Sequence, residues 1–442
     1  MRRLMSNALR AIPSVERILS SARFAPLVER FGRARVKESV SAYLDELRAA
    51  RGAWNETEAL DAIAIRVRAA TASTLRRVIN ATGVIIHTNL GRSPVDGALW
   101  SDAASVVTGY SNLEFDLGRG ERGARDEHLA ELCRSLFGCE SAILTNNNAA
   151  GTLLLLAATA AGREVLVSRG ELVEIGGSFR VPDVIQQGGA KLREVGTTNR
   201  TRARDYASAA GAETAAILRV HRSNFDIVGF TETPPIAELI EVARETRIPM
   251  LYDEGSGRIV DISKYGFEKK ETIRELIAAG VDAVACSTDK LIGATQGGLI
   301  LGREEIVAKC RKHPLMRALR AGKESYAVIA ETLRAFATER HEERVPIYRM
   351  LATPLDVLRE RAGNLGAKTI IDSRCALGGG TTPTETIPSI AIEVAGNANE
   401  QYARFLNNDP PIVGRIVDDR FTLDMRTVLE EDLAALALCL QL

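Results

Sequence analysis

The alternation of apolar and polar positions changes character twice along the chain. Over the first 79 residues apolar side chains recur at helical spacing. The pattern predicts helices over residues 14–31 and 35–51, separated by Gly32, and a third entered at Asn55 with Glu58 as its capping-box partner. Leu60, Ile63, Ala64 and Val67 form the i, i+3, i+4, i+7 stripe of that third helix. The middle of the chain reads differently. Short β-rich runs at 142–145, 164–168, 191–195, 216–221, 248–253, 281–286 and 298–301 alternate with helical stretches. Such alternation predicts a mostly parallel seven-stranded sheet with helices on both faces. The link 287–297 is too short for a helical crossover, so the seventh strand is expected to run antiparallel to the sixth. After about residue 305 the pattern is helical through Arg340. A smaller α/β segment follows, with β-rich runs at 389–394 and 415–424, a hairpin turn at Asp418-Asp419 and a closing helix from Glu430. Three domains are expected: 1–79, 80–335 and 336–442.

Composition narrows the class without deciding it. The chain has 442 residues, 45% apolar and 26% charged, as in ordinary globular proteins of two or three domains. Its six cysteines include no Cys-x-x-Cys pair, so neither a metal site nor a disulfide framework is indicated, and a reducing, cytoplasmic setting is expected. The N-terminus carries no apolar signal core, and the longest apolar run, 153–161, is too short to span a bilayer. Net charge is zero but unevenly spread. Residues 1–79 hold 15 Lys and Arg against 8 Asp and Glu, whereas the remainder holds 42 against 49. A basic helical domain on an acidic body points to a polyanionic partner at that end, with a merely solvated basic surface as the alternative.

The chemistry sits at strand ends. Tyr252-Asp253-Glu254-Gly255-Ser256-Gly257 closes the fifth run, and Ser287-Thr288-Asp289-Lys290 closes the sixth, ahead of a Gly-rich stretch from Gly293 to Gly298. An Asp ending one strand and a Ser-x-x-Lys past the next is the constellation that holds pyridoxal 5'-phosphate (PLP). Lys290 would form the Schiff base, and Asp253 would pair with the pyridinium nitrogen and favour its protonated form. Six parallel strands and one antiparallel, with the lysine in the last connection, is the architecture of the large domain of fold-type I PLP-dependent transferases. In such sheets ligands lie beyond the carboxyl ends of the strands, where His221, Asn146, Asp253 and Ser287 fall. Asn146-Asn147-Asn148-Ala149-Ala150-Gly151 follows the first strand and opens an apolar helix. Its backbone N–H groups, those of Asn147, Asn148 and Ala149, suit a phosphate, although the same residues would also satisfy a plain Asn N-cap. Ser287 could add a hydroxyl. His221 could approach the cofactor or move a proton, or be a hydrogen-bonded strand-end histidine. Gly118-Arg119-Gly120-Glu121-Arg122-Gly123 matches the dinucleotide fingerprint, but the preceding 113–117 alternates apolar and charged residues and is no buried parallel strand. Arg317 and Arg320, three apart after His313-Pro314, could meet one anion on a helical face or be an exposed pair.

Taken together the motifs resemble the bacterial L-seryl-tRNA(Sec) selenium transferases, the selenocysteine synthases. The segments that carry the resemblance run in order from Ile12-Pro13-Ser14-Val15-Glu16-Arg17-Ile18-Leu19 through Ile79-Asn80-Ala81-Thr82-Gly83-Val84 and His87-Thr88-Asn89-Leu90-Gly91-Arg92. They continue with Gly109-Tyr110-Ser111-Asn112-Leu113-Glu114, residues 168–180, Gly196-Thr197-Thr198-Asn199-Arg200-Thr201, the Lys290 stretch, residues 313–320 and Gly378-Gly379-Gly380. The resemblance implies a cytoplasmic PLP enzyme that takes seryl-tRNA(Sec) and selenophosphate. It would act by β-elimination to aminoacrylyl-tRNA followed by selenium addition. It further implies a ring-shaped homodecamer built from dimers, with the N-terminal domain gripping the tRNA. By motif match Lys290 would be the cofactor lysine and Asp253 the pyridinium partner. Arg92, Arg317 and Arg320 would receive the selenophosphate anion, and Asp289 matches an acidic position of the family. The chain departs from the family pattern at Glu254 (Leu in the pattern), Thr288 (Gly) and Ala294-Thr295 (Gly-Pro). The competing readings are a PLP lyase or transferase acting on a free amino acid or amino sugar, and a catalytically silent PLP-fold protein that binds tRNA.

Overall fold

A computed structural model describes residues 12–176 and 179–441 of the chain. Residues 1–11 of the basic N-terminal segment, and Gly177 and Ser178 within the 168–180 motif, lie outside the described residues. The chain forms two compact units, Met1–Arg77 and Val78–Leu442.

The first unit is helical: α1 (Val15–Leu19), α2 (Ala25–Phe31), α3 (Arg33–Ala49) and α4 (Glu56–Thr71). The single helix expected over 14–31 is two. Pro26 has no N–H to donate to residue 22, so a continuous helix would lose a bond there; instead Pro26 occupies the first turn of α2, where that loss costs nothing. Gly32, at φ +81°, separates α2 from α3. Asn55 caps α4 as expected: its Oδ1 accepts from Thr57 N at 3.0 Å and Glu58 N at 3.4 Å, and its Nδ2 donates to Glu58 Oε1 at 2.9 Å. Ile63 and Val67 of the α4 stripe are buried with Phe24, Val36, Val40 and Leu44, while Leu60 and Ala64 are half-buried at the edge of this small core.

The second unit is built on seven strands: β1 (Ser141–Thr145), β2 (Glu164–Ser168), β3 (Lys191–Val195), β4 (Thr214–Val220), β5 (Met250–Gly255), β6 (Ala283–Ser287) and β7 (Gly298–Gly302). Their order across the sheet is β1-β7-β6-β5-β4-β2-β3. Every pairing is parallel except those of β7, which runs antiparallel to both β6 and β1. Successive side chains alternate between two cores. Leu144, Leu166, Ile217, Met250, Val284 and Leu299 enter one. Ile143, Val165, Leu218, Leu251, Ala283 and Ile300 enter the other. Both faces are therefore buried, which is why these runs read as continuously apolar. The 115–122 segment forms a two-residue, mostly exposed hairpin outside the sheet, in keeping with the rejection of a dinucleotide site.

The C-terminal part carries a second sheet of β8 (Thr369–Gly378), β9 (Thr382–Val394), β10 (Arg415–Val417) and β11 (Arg420–Asp424), in the order β8-β9-β11-β10. Asp418 and Asp419 make the two-residue turn at φ +49° and +57°, the left-handed conformation that short hairpins need. β8 is absent from the sequence expectation and β9 is longer than expected. Most of β8 is only partly buried, so it lacks the clean two-residue alternation. Residues just after the first unit are stitched into this part: Ile79–Asn80 pairs with Ile412–Val413, and Ile86 N donates to Leu377 O at 2.8 Å.

The junction of β1 and β7 is tight enough to test. A Cβ on Gly298 would lie 2.2 Å from Asn147 O and 2.4 Å from Asn147 C, both backbone atoms. Gly298→Ala is expected to destabilise the protein by about 3 kcal/mol in urea titration, near the top of the usual overpacking range. Gly211→Ala, with nothing within 4 Å, is the control expected to stay within about 0.5 kcal/mol.

Candidate active site

Beyond the carboxyl ends of β4, β5 and β6 lies a cavity of about 240 Å³, lined by Asn147, Asn148, Ala149, His221, Asp253, Ser287 and Lys290, with Arg92, Ser223 and Gln296. A larger cleft of about 750 Å³, lined by Arg163, Arg244, Arg247 and Asp282 among others, lies at the opposite end of these strands and gathers none of the residues singled out above.

Asp253 stands where β5 passes into the turn Glu254–Gly257. It is buried, and burial pushes its carboxyl up, against a hydrogen bond from Asn148 that holds it down. Asn148 Nδ2 donates to Asp253 Oδ1 at 2.8 Å. No Lys or Arg lies within ion-pair distance of Asp253 among the described residues. The charge of Lys290 acts on it without an ion pair.

Lys290 follows β6 in the connection to β7. Its side chain is buried, and Nζ donates to Gly380 O at 3.2 Å. Burial first, and then the charge of Arg92, lower its pKa. A Cβ on Gly380 would lie 2.6 Å from Nζ, so a side chain at that position would displace the amine from its present place. Arg92 itself is a non-glycine residue in the left-handed region (φ +64°). Its Nη1 donates to Asp289 Oδ2 at 2.7 Å. The other oxygen, Asp289 Oδ1, is buried without a hydrogen-bond partner, as are Asn148 Oδ1 and Ser223 Oγ.

The Asn turn is an N-cap that also leaves N–H groups at the cavity. Asn147 is the N-cap of the helix Asn148–Ala160, with Oδ1 accepting from Ala150 N at 2.8 Å. The preceding N–H groups stay free of intrahelical partners and face the cavity end of a thirteen-residue helix. His221 N donates to Asp253 O at 3.0 Å, and Nδ1 donates to Glu254 O at 3.1 Å. That bond places the ring proton on Nδ1 and leaves Nε2 as the acceptor. Burial, then the charges of Lys270, Arg258 and Lys290, push His221 down to about 3, so the ring is neutral.

The arginine pair is not brought together as expected. The helix Leu315–Leu319 contains Arg317, which is exposed, but Arg320 is its extended C-cap. A five-residue helix ends before both side chains can share a face. Arg320 instead bridges by its backbone to Thr145 at the end of β1, and its Nη1 donates to Glu114 Oε1 at 3.2 Å. Neither arginine lines the cavity within one chain. Ser223 and Gln296 are site residues that sequence analysis did not single out, and Gly380 carried no role there. Ser223 follows His221 by two, Gln296 lies within the Gly293–Gly298 stretch, and Gly380 closes the Gly378–Gly380 run, so adjacency to named motifs was the available signal.

The residues present fit PLP. Asp253 is a buried carboxylate without an ion pair, which a protonated heterocycle would supply. A helix N-terminus stands beside it for a phosphate, and a buried lysine held toward its neutral form lies opposite.

Comparison with known proteins agrees with this geometry. Residues 78–429 match the family described as L-seryl-tRNA selenium transferase, and residues 9–48 match the selenocysteine synthase N-terminal family. The chain is 46% identical to the L-seryl-tRNA(Sec) selenium transferase of Geobacter sulfurreducens (strain ATCC 51573 / DSM 12127 / PCA), covering 96% of each chain. It is 41% identical to that of Hyphomonas neptunium (strain ATCC 15444), covering 97% of each. Among solved structures, D-glucosaminate-6-phosphate ammonia-lyase superposes with a TM-score of 0.62 at 23% identity, over 83% of this chain and 95% of that one, a likeness of fold. The architecture is that of the fold-type I PLP-dependent enzymes.

The state of His221 sets a pH dependence. Its folded pKa, about 3, lies below the ordinary 6.5, so below pH 6.5 the unfolded chain binds a proton that the folded one does not. The contribution is fully present above pH 6.5 and is lost as pH falls toward 3, at up to about 1.4 kcal/mol per unit. Between pH 7 and pH 5 the wild type is expected to lose about 2 kcal/mol more stability than His221→Asn in urea titrations. Equal losses would show that the ring is already protonated in the fold.

Proposed function

This chain belongs to the L-seryl-tRNA selenium transferase family, and from that premise we propose that it converts seryl-tRNA(Sec) to selenocysteinyl-tRNA(Sec) with PLP as cofactor and selenophosphate as selenium donor. The observation that carries this reading is the family match over residues 78–429, which spans both Asp253 and Lys290 at the cavity.

PLP, when bound, supplies an electron sink that lets the serine α-proton and β-hydroxyl leave and a selenium nucleophile take the hydroxyl's place. The chain's own residues do the rest. Lys290 would hold the cofactor, and as a free amine it is the base that could take the α-proton, because burial and Arg92 disfavour its charged form. Asp253 supplies the negative charge for the ring nitrogen, and Asn148 fixes its carboxylate. The N-terminal N–H groups of the helix Asn148–Ala160, with Ser287, hold the phosphate. Neutral His221 presents Nε2 as an acceptor rather than a charge. Arg92, steered by Asp289, is the cation nearest the amine and receives the donor's anion there, with Arg317 and Arg320 extending the anion path.

The tRNA is bound by the first unit. The excess of 15 basic over 8 acidic residues in 1–79 supports this, since phosphate contacts dominate nucleic-acid affinity. The protein works in the cytoplasm; its six cysteines are all free and buried, and no helix among the described residues is long and apolar enough to cross a membrane. We place it in a homodecamer built from dimers. Val106, Tyr110, Phe115 and Leu117 support a contact between copies, because they line one shallow cleft and are exposed.

Purified protein loaded with PLP is expected to be yellow and to convert seryl-tRNA(Sec) in the presence of selenophosphate. Borohydride is expected to fix a pyridoxyl group on Lys290, and Lys290→Ala to lose both the fixed label and turnover while keeping its fold. Peptide mass spectrometry that located the label on another lysine would overturn the assignment.

Removal of residues 1–77 is expected to leave PLP binding intact and to weaken tRNA binding at least tenfold, with a shallower salt dependence. Filter binding at two salt concentrations measures both. Undiminished tRNA affinity in the truncated protein would place the RNA site on the larger unit.

A further inference from the structure

The connection that carries Lys290 is a closed loop whose hydrogen bonds lead back to one buried carboxylate. Thr288, fully buried, closes the base of the loop in three ways. Its N–H donates to Gly297 O at 3.0 Å, its carbonyl accepts from Ala294 N at 2.9 Å, and its hydroxyl donates to Thr295 O at 2.6 Å. On the other side of the lysine, Leu291 is held at both ends: its N–H donates to Ser256 O at 2.9 Å, and its carbonyl accepts from the Tyr348 hydroxyl at 2.8 Å. Ser256 is in turn fixed by Glu254. The Ser256 N–H donates to Glu254 O at 2.7 Å, and its hydroxyl donates to the Glu254 carboxylate. The second carboxylate oxygen accepts from Gly257 N at 2.6 Å.

Glu254 is buried, directly follows Asp253, and does not line the cofactor cavity; nor does Thr288. It lines instead a neighbouring polar chamber of about 260 Å³ that the buried Arg258 also lines. The turn it organises is under close constraint. A Cβ on Gly257 would lie 2.4 Å from Ser287 O, so the turn after Asp253 and the end of β6 meet at backbone contact.

We propose that Glu254 and Thr288 are positioning residues for Lys290. Glu254 sets the Ser256–Gly257 turn from which Leu291 hangs, tying one flank of the lysine to the turn after Asp253, and Thr288 closes the loop on itself at the other flank. A lysine side chain has four rotatable bonds and little directional preference of its own. With its backbone held on both sides and Gly380 O at its tip, the amine is delivered to one place relative to Asp253. Loosening either tie leaves the carboxylate where it is and lets the amine wander. The inference rests on Lys290 being the cofactor lysine.

The test uses the full-length PLP-loaded protein and the variants Glu254→Ala, Glu254→Gln and Thr288→Val. Three quantities are measured: the rate at which hydroxylamine strips the cofactor, the PLP dissociation constant of the stripped protein, and the melting temperature. Glu254→Ala and Thr288→Val are expected to release the cofactor about tenfold faster and to rebind it about tenfold more weakly, the size of one lost hydrogen bond. Glu254→Gln, whose amide can serve both Ser256 and Gly257, is expected to restore both values to within about threefold of wild type. Should Glu254→Ala not fold, Thr288→Val decides alone, because it is close to isosteric. Stripping rates within about twofold of wild type in the folded variants would overturn the proposal and assign these residues to stability only, whatever the melting temperatures show. A wild-type protein that carried no cofactor on Lys290 would instead refute the reading on which the proposal rests.

Discussion

A buried carboxylate without an ion pair organises this molecule. Asp253 lies at the end of a strand whose two faces are both covered, and the Asn148 amide that donates to it is neutral. Burying such a charge is costly unless something positive meets it. The chain brings the nearest amine, Lys290, into the same cavity but ties it to the Gly380 carbonyl instead. Both groups are thereby displaced from their ordinary titration ranges in directions that weaken their charges. A protonated ring nitrogen next to Asp253 and a carbonyl carbon for Lys290 would relieve both at once.

The same logic governs the arginines. Arg92 is held by Asp289 and Arg320 by Glu114, which also takes Arg125 at 2.7 Å. Under the proposed function an arriving anion would exchange with a resident carboxylate rather than meet a bare cation, and its oxygens would have to match a guanidinium fork. Arg92 is held in left-handed backbone immediately after Gly91, also left-handed, which turns its side chain toward the lysine loop. Strain of that kind persists where the surrounding structure over-determines it, and the Asp289 bond does so here.

Charge is partitioned as sharply as structure. The basic excess belongs to the segment that folds as a small helical unit with its own core, and the acidic excess to the catalytic unit. Under the proposed function this partition would suit a tRNA substrate drawn to the basic unit. The sheet's amino-terminal cleft carries several arginines, but Arg163 and Arg244 are engaged by backbone carbonyls and Arg303 by Asp282.

Sequence by itself determined the elements and the principal chemistry. Six strands of the large sheet were legible because each is apolar on both faces, the largely exposed edge strand β3 because turns bound it, and β7 was legible as antiparallel because eleven residues cannot house a crossover helix. Asp253, Lys290 and the Asn turn stood out because strand ends are where such a sheet places its ligands. What only the tertiary structure decided were relations between side chains distant in sequence. Gly380 reaches Lys290 across ninety residues, Glu114 holds Arg320 across two hundred, and β8 is made a strand by its long partner β9 rather than by any alternation of its own. The break in the first helix and the burial of Glu254 belong to the same class. Periodicity records whether a position faces water, whereas the partner that satisfies a buried polar atom is chosen by packing, and a linear pattern carries no term for it.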